Sequence, residues 1–145
     1  MRTVVTLLLA LVASWLAGSL AGVVLAEWAD GDESFILIFM SVPIVSIMAA
    51  AVFLIAGTRA VPARAINRAA LALVMLTAIL LASFSVFEFF INGTVASAWR
   101  GIQLMIGMAG AWLAVVVAQW AIFLWRAHSA APPAMQFGRL PEGTE

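Results

Sequence analysis

The sequence predicts an all-α fold: an integral membrane four-helix bundle with up-down-up-down topology. Of the 145 residues, 66% are hydrophobic and only 10% are charged, and the apolar residues are concentrated in four long runs. Soluble domains carry about 25% charged residues. A chain of this length could not hide so much apolar surface in a soluble fold, because small domains leave much of their area exposed. Lipid is therefore the solvent that fits.

The four apolar runs are residues 4–26, 35–56, 69–91 and 102–125. A helix rises about 1.5 Å per residue, so about 20 residues cross a hydrocarbon core of about 30 Å. Because lipid offers the backbone no hydrogen-bond partners, each run should be helical. The first run, with Arg2 before it, also has features of a cleavable signal peptide. It is longer than the apolar segment of such a signal, so we expect an uncleaved helix.

The connections between the four runs are short, which favours antiparallel neighbours. Residues 27–34 join the first two runs, residues 57–68 join the next two, and an Asn-Gly-Thr turn signal at residues 92–94 precedes the fourth. We therefore expect one transmembrane domain over residues 1–126. The segment 127–145 contains three prolines and two glycines and is predicted to be a flexible tail.

The arginines predict the orientation, since cytoplasmic loops of membrane proteins carry an excess of basic residues. All seven basic residues are arginine, and only Arg100 falls on the side that holds the acidic first loop. The six on the other side are Arg2, Arg59, Arg64, Arg68, Arg126 and Arg139. Both termini are therefore expected to be cytoplasmic. The use of arginine in place of lysine favours a GC-rich bacterial genome, and hence a bacterial inner membrane.

Small residues recur every four positions along the first run and predict a helix-packing interface. They are Ala10, Ser14, Gly18, Gly22 and Ala26, and the two glycines form a GxxxG pair. Small residues let two helix backbones approach closely. Two interpretations stay open: this ridge packs against a neighbouring helix of the same chain, or it docks another subunit or a second copy.

Glu88 is the only ionisable residue well inside a predicted span, about one turn below the outer boundary. Its expected partner is Arg100 at the start of the next helix, with Asn92 and Gln103 nearby. Intramembrane acids face protein or water, because an unpaired charge in lipid is costly. This polar junction is therefore either an ion pair that ties the third and fourth helices together or a proton or cation site open to the outside.

The fourth run carries a second stripe with alternating three- and four-residue spacing, which is typical of a bundle seam. Its members are Arg100, Gln103, Gly107, Gly110, Ala114, Val117 and Ala121. We predict that this face points into the bundle, whereas Trp112 and Gln119 project elsewhere.

Four phenylalanines lie close to Glu88 in the sequence: Phe84, Phe87, Phe89 and Phe90. Aromatic residues at helical spacing usually face lipid or pack against neighbours. The alternative is a partly apolar pocket that takes the tail of a lipid or a quinone.

Several other function classes lack their residues. Cysteine is absent and His128 is the only histidine, so the sequence supplies neither a haem or thiolate metal site nor a Ser-His-Asp arrangement. The net charge is zero, and there is no basic stripe for nucleic acid. We expect no enzyme activity, no metal, no cofactor and no nucleic-acid partner.

The leading functional hypothesis is an accessory or scaffold subunit of a larger membrane complex. Such a subunit acts through helix–helix contacts with another membrane subunit or with a second copy. One alternative is a small oligomeric transporter or channel component with Glu88 in an ion or proton pathway. Another is a lipid- or quinone-binding membrane protein. Membrane lipids are expected partners in all three cases.

Overall fold

The computed structural model describes residues 2–28, 32–92 and 95–130, with their side chains except those of residues 2, 32–34, 88, 92, 95–98 and 100. Four helices occupy this part of the chain: α1 (Arg2–Trp28), α2 (Asp32–Gly57), α3 (Pro62–Asn92) and α4 (Val95–Ser129). Each is long and apolar enough to cross a membrane. The described part of the chain is thus all-helical, and its four apolar helices indicate a multi-pass membrane protein.

α3 and α4 are longer than their apolar runs. α3 begins at Pro62 rather than at residue 69, since a proline suits a first helical turn, where its missing N–H has no intrahelical partner to lose. α4 begins at Val95 and continues to Ser129, whose Oγ donates to the Trp125 carbonyl at 2.9 Å. α4 thus includes residues 127–129, which the sequence assigns to the tail. The tail from residue 131 lies outside the described residues.

A four-residue turn joins α2 to α3. The backbone N–H groups of Thr58 and Arg59 donate to the carbonyls of Ile55 and Ala56, each at 3.3 Å. Thr58 Oγ1 donates to the same Ile55 carbonyl at 2.7 Å. These bonds satisfy carbonyls that the end of a helix otherwise leaves without partners, so the turn is tight and sets α2 and α3 side by side.

α4 lies at the centre of the packing. It contacts α1, α2 and α3, whereas α1 and α3 do not touch each other within the described residues. Thr3 is hydrogen-bonded to Arg126 and Ser14 to Gln119, so α1 runs in the opposite direction to α4. The described helices therefore form a rhombus whose short diagonal joins α2 and α4.

α2 runs in the same direction as α4. Ser41 is hydrogen-bonded to Trp112, and the ring of Phe53 stacks on that of Phe123 with centroids 5.7 Å apart. These contacts belong to a core of buried apolar side chains at the centre of the rhombus, which includes Ile38, Val42, Phe53, Ile66 and Val115.

Large apolar side chains also cover the outside of the bundle. Leu20 on α1, Ile47 on α2 and Ile79 on α3 are all exposed. An apolar exterior of this extent marks contact with lipid or with another protein in the membrane.

Candidate functional site

The small-residue ridge of α1 lies inside the bundle. Ala10 and Ser14 have no exposed surface, and Gly18, Gly22 and Ala26 are buried as well. The face that they form is covered by α2 and α4 of the same chain. Docking another subunit on this ridge would therefore require α1 to leave both neighbours.

The two glycines of the ridge have no room for a side chain. A Cβ atom on Gly18 would lie 2.6 Å from Val115 Cγ2 and 2.9 Å from Val42 Cγ1. A Cβ atom on Gly22 would lie 2.8 Å from Ile38 Cγ2. Real Cβ contacts are essentially never this short. The GxxxG pair therefore lets α1 approach α2 and α4 at the same time.

A buried polar cluster, formed by Ser14, Ser46 and Gln119, joins α1, α2 and α4. Gln119 Nε2 donates to the Ser46 carbonyl at 2.8 Å and to Ser14 Oγ at 3.1 Å. Ser14 Oγ donates in turn to the Leu11 carbonyl at 3.1 Å. Gln119 and Ser14 are fully buried and Ser46 nearly so. One amide on α4 thus binds two neighbouring helices; we term this group the Gln119 cluster.

The acceptors around Gln119 determine which way its amide points. Exchanging its nitrogen and oxygen would set Oε1 against the Ser46 carbonyl oxygen, and two acceptors would then face each other. In the observed orientation, Gln119 Oε1 and Ser46 Oγ are buried without a hydrogen-bond partner among the described residues. Leaving such a buried group unpaired costs about 1–3 kcal/mol. Because these two atoms are unpaired, the packing of the surrounding side chains helps to hold the cluster together, in addition to its hydrogen bonds.

The predicted stripe on α4 faces the interior at one end only. Gly107 is buried and Gly110 half-buried, and both pack against Leu25 of α1. Val117 and Ala121 are exposed, so the prediction that they point into the bundle is wrong.

The contact row of α4 advances by four residues rather than by alternating threes and fours. Its members are Gly107, Ala111, Val115, Gln119 and Phe123, all buried. The row follows this spacing because it lies against the α1 ridge, which itself advances by four: Ser14 meets Gln119, and Gly18 meets Val115. Gln119 therefore points inward, contrary to the prediction. The four-residue step shared with α1 is the sequence signal that identifies it.

Trp112 also lies on an inward-facing side of α4. It is half-buried and donates Nε1 to Ser41 Oγ at 2.9 Å. Ser41 Oγ donates onward to the Ile38 carbonyl at 2.8 Å. The indole thus links α4 to α2, one or two turns away from the Gln119 cluster.

The predicted polar junction falls mostly outside the described residues. This applies to the side chains of Glu88, Asn92 and Arg100. Gln103, the fourth member, is half-buried on α4. The ion-pair and ion-pathway interpretations of the junction both stay predictions.

The four phenylalanines near the end of α3 lie on its outside. Phe84, Phe87, Phe89 and Phe90 are all exposed. The ring centroids of Phe84 and Phe87 are 6.3 Å apart, and those of Phe89 and Phe90 are 6.2 Å apart. Exposed rings of this kind suit contact with lipid better than an enclosed pocket.

α3 is the least covered of the four helices. In its most apolar 18-residue segment, only 6% is buried inside the structure. The corresponding share is 22% to 28% in the other three helices. The α3 outer face consists of six exposed residues that lie within about one third of the helix circumference: Leu71, Met75, Ala78, Ile79, Ala82 and Val86. This surface has no neighbour within the described part of the chain.

Among the described residues, no three His, Cys, Asp or Glu side chains come together as a metal site would require. No protein-family model, no curated protein and no solved structure matches the chain. Its function is therefore inferred from its own packing and surfaces.

Proposed function

We propose that the protein is a non-enzymatic accessory or scaffold subunit of a larger membrane complex. In this proposal the α3 outer face binds a transmembrane helix of another membrane protein. The observation that supports it is the contrast between two helices. The small residues of α1 are packed inside the chain, whereas α3 has the smallest buried share of the four helices and exposes one apolar face.

The centre of the α3 outer face has the composition of a helix-docking surface. Ala78 and Ala82 are exposed and lie four residues apart, with the larger Met75, Ile79 and Val86 around them. Lipid tails are as apolar as leucine, so helices associate in a bilayer through close packing rather than through the hydrophobic effect. A pair of small residues between larger ones gives a partner helix a depression to pack into.

The rest of the bundle is built to hold α3 in a defined position. The Gln119 cluster ties α1, α2 and α4 together. Trp120 Nε1 on α4 then donates to Asn67 Oδ1 on α3 at 2.8 Å. In the proposed scaffold, three helices thus support a fourth, α3, which faces outward.

The proposal includes the membrane orientation. The described arginine side chains all lie at one end of the bundle: Arg59, Arg64, Arg68 and Arg126. The positive-inside rule supports the proposal that this end is cytoplasmic. We propose that both termini lie in the cytoplasm of a bacterial cell, with the four helices in the inner membrane.

Co-purification in a mild detergent tests the proposed partner. We expect Ala78→Leu/Ala82→Leu to reduce the amount of the co-purified membrane protein about tenfold, because an energetic loss of about 1.4 kcal/mol is enough for that change. The control is Ala51→Leu, which adds one leucine, half of the bulk of the α3 variant, at an exposed alanine of α2. The control should retain the partner in full.

Two results would contradict the proposed partner. One is equal loss of the partner in the α3 variant and in the control. The other is an oligomer of this chain alone whose ion flux is abolished by Glu88→Gln, which would favour the transporter alternative.

A further inference from the structure

A groove follows the seam between α2 and α3, starting at the basic end of the bundle. Its mouth is a depression of about 350 Å³ lined by Arg59, Arg68 and small or aliphatic side chains of both helices. Further along the seam lies an apolar cavity of about 340 Å³, against which Trp112 and Val116 of α4 also lie. We term the mouth and the cavity together the α2–α3 groove.

The mouth and the cavity lie on the same faces of the two helices. On α3, Ala69 lines the mouth and Leu73, one turn later, lines the cavity. On α2, Val52 lines the mouth and Met48, one turn away, lines the cavity. The two depressions are therefore successive parts of one surface that a single elongated ligand can follow.

The groove is about as long as one leaflet of a bilayer is deep. It extends along α3 from Arg68 to Leu80, which corresponds to about 18 Å of helix. Half of a hydrocarbon core of about 30 Å is about 15 Å. A lipid whose headgroup lies at the mouth would therefore have its acyl chain along the cavity.

The mouth carries positive charge, and no acidic side chain that the structure describes lies near it. Arg59, Arg64 and Arg68 together line an adjoining depression at the start of α3, and all three are exposed. Among the described side chains the only carboxylate is that of Glu27, at the opposite end of the bundle. Three guanidinium groups in one place match the charge and hydrogen-bonding geometry of a phosphate.

We propose that the α2–α3 groove binds one anionic phospholipid. Its phosphate-bearing headgroup lies on Arg59, Arg64 and Arg68, and one acyl chain occupies the cavity against Trp112. Basic pockets between transmembrane helices on the cytoplasmic side are a general form of site for acidic headgroups. A free phosphate would use only the mouth, and a zwitterionic lipid would leave the arginines without a net negative partner.

Native mass spectrometry of the full chain in a neutral detergent tests this site. Dioleoyl phosphatidylglycerol is offered in competition with dioleoyl phosphatidylcholine, which has the same acyl chains and no net charge. We expect the wild type to retain the anionic lipid selectively. Arg68→Gln should weaken its retention about fivefold, the effect of one basic residue near an anionic surface. Ala69→Phe should weaken it as well, because the ring fills the mouth.

Arg126→Gln is the matched control for charge. It removes one arginine at the same end of the bundle, where Arg126 donates to Thr3 Oγ1 at 2.9 Å. Arg126 lies on α4 and lines neither part of the groove. This variant should keep the selectivity of the wild type.

Three results would overturn the proposal: equal retention of the two lipids by the wild type, equal losses in Arg68→Gln and Arg126→Gln, or displacement of the anionic lipid by millimolar inorganic phosphate. The second would show a diffuse surface charge, and the third a headgroup site without a chain groove. If Arg68→Gln fails to fold, the wild-type competitions with phosphatidylcholine and with phosphate decide the matter.

Discussion

Gly18→Leu is expected to lower the free energy of unfolding of the bundle by about 3 kcal/mol, at the upper end for overpacked cores. The Cβ atom alone would lie 2.6 Å from Val115 on α4 and 2.9 Å from Val42 on α2. A leucine can be accommodated only if α1 moves away from both helices. The midpoint of SDS-driven unfolding in mixed micelles measures the effect.

Gly57→Leu is the matched control, because a Cβ atom built on Gly57 meets nothing within 4 Å apart from its own chain neighbours and helix backbone. Its unfolding midpoint should stay close to that of the wild type. A wild-type midpoint for Gly18→Leu would mean that α1 does not pack as described.

The double variant Gly18→Leu/Gly22→Leu separates the two interpretations of the α1 ridge. Since Gly22 also faces a contact of 2.8 Å, with Ile38, the double variant should be less stable than either single variant. A double variant that kept wild-type stability but lost its assembly would assign the ridge to docking and contradict intramolecular packing.

Gln119→Ala is expected to be about as damaging as Gly18→Leu, with a loss of roughly 2–4 kcal/mol in unfolding free energy. The substitution removes two interhelical hydrogen bonds, which are worth about 0.6–1.7 kcal/mol each in membranes. It also leaves a cavity at a fully buried position, and cavities add a cost that grows with their volume. Gln119→Leu restores most of the volume and should recover part of the loss.

A double-mutant cycle with Ser14→Ala isolates the hydrogen bond between Gln119 and Ser14. We expect a coupling of about 1 kcal/mol, within the range measured for such bonds. Val117→Ala is the control on the same helix, since Val117 is exposed and its truncation should have little effect. A coupling of zero in the cycle would contradict a stabilising hydrogen bond between Gln119 and Ser14.

Composition and run length were sufficient to predict the helices, because a lipid-exposed backbone can satisfy its hydrogen bonds only within a helix or a closed barrel. They did not predict the ends of α3 and α4. The first turns of α3 carry Arg64 and Arg68. These charged residues lie outside the apolar run, although a helix accepts them readily. Residues beyond the hydrocarbon boundary still favour a helix, although the run of apolar residues ends there.

The interior of the bundle was only half predictable. The α1 ridge could be predicted because small residues repeat every four positions along the first apolar run. The spacing within α4 alone does not identify Gln119, because the direction of its side chain is determined by the partner helix. The buried residues of α1 are spaced four apart, so the residues of α4 that pack against them are also spaced four apart. Gln119 is one of these α4 residues. Such a match requires knowing which helices are neighbours.

The central claim is that α3, and not α1 or α2, meets the partner protein, and site-specific photo-cross-linking in native membranes tests it most directly. A benzophenone amino acid is placed at Met75 or Ile79 on α3, and at Leu16 on α1 or Ile47 on α2, all of which are exposed. The account predicts a cross-linked product larger than a dimer of this chain from Met75 and Ile79, and none from the other two positions. A product from Leu16 or Ile47 alone, or only a dimer of the chain from α3, would contradict it.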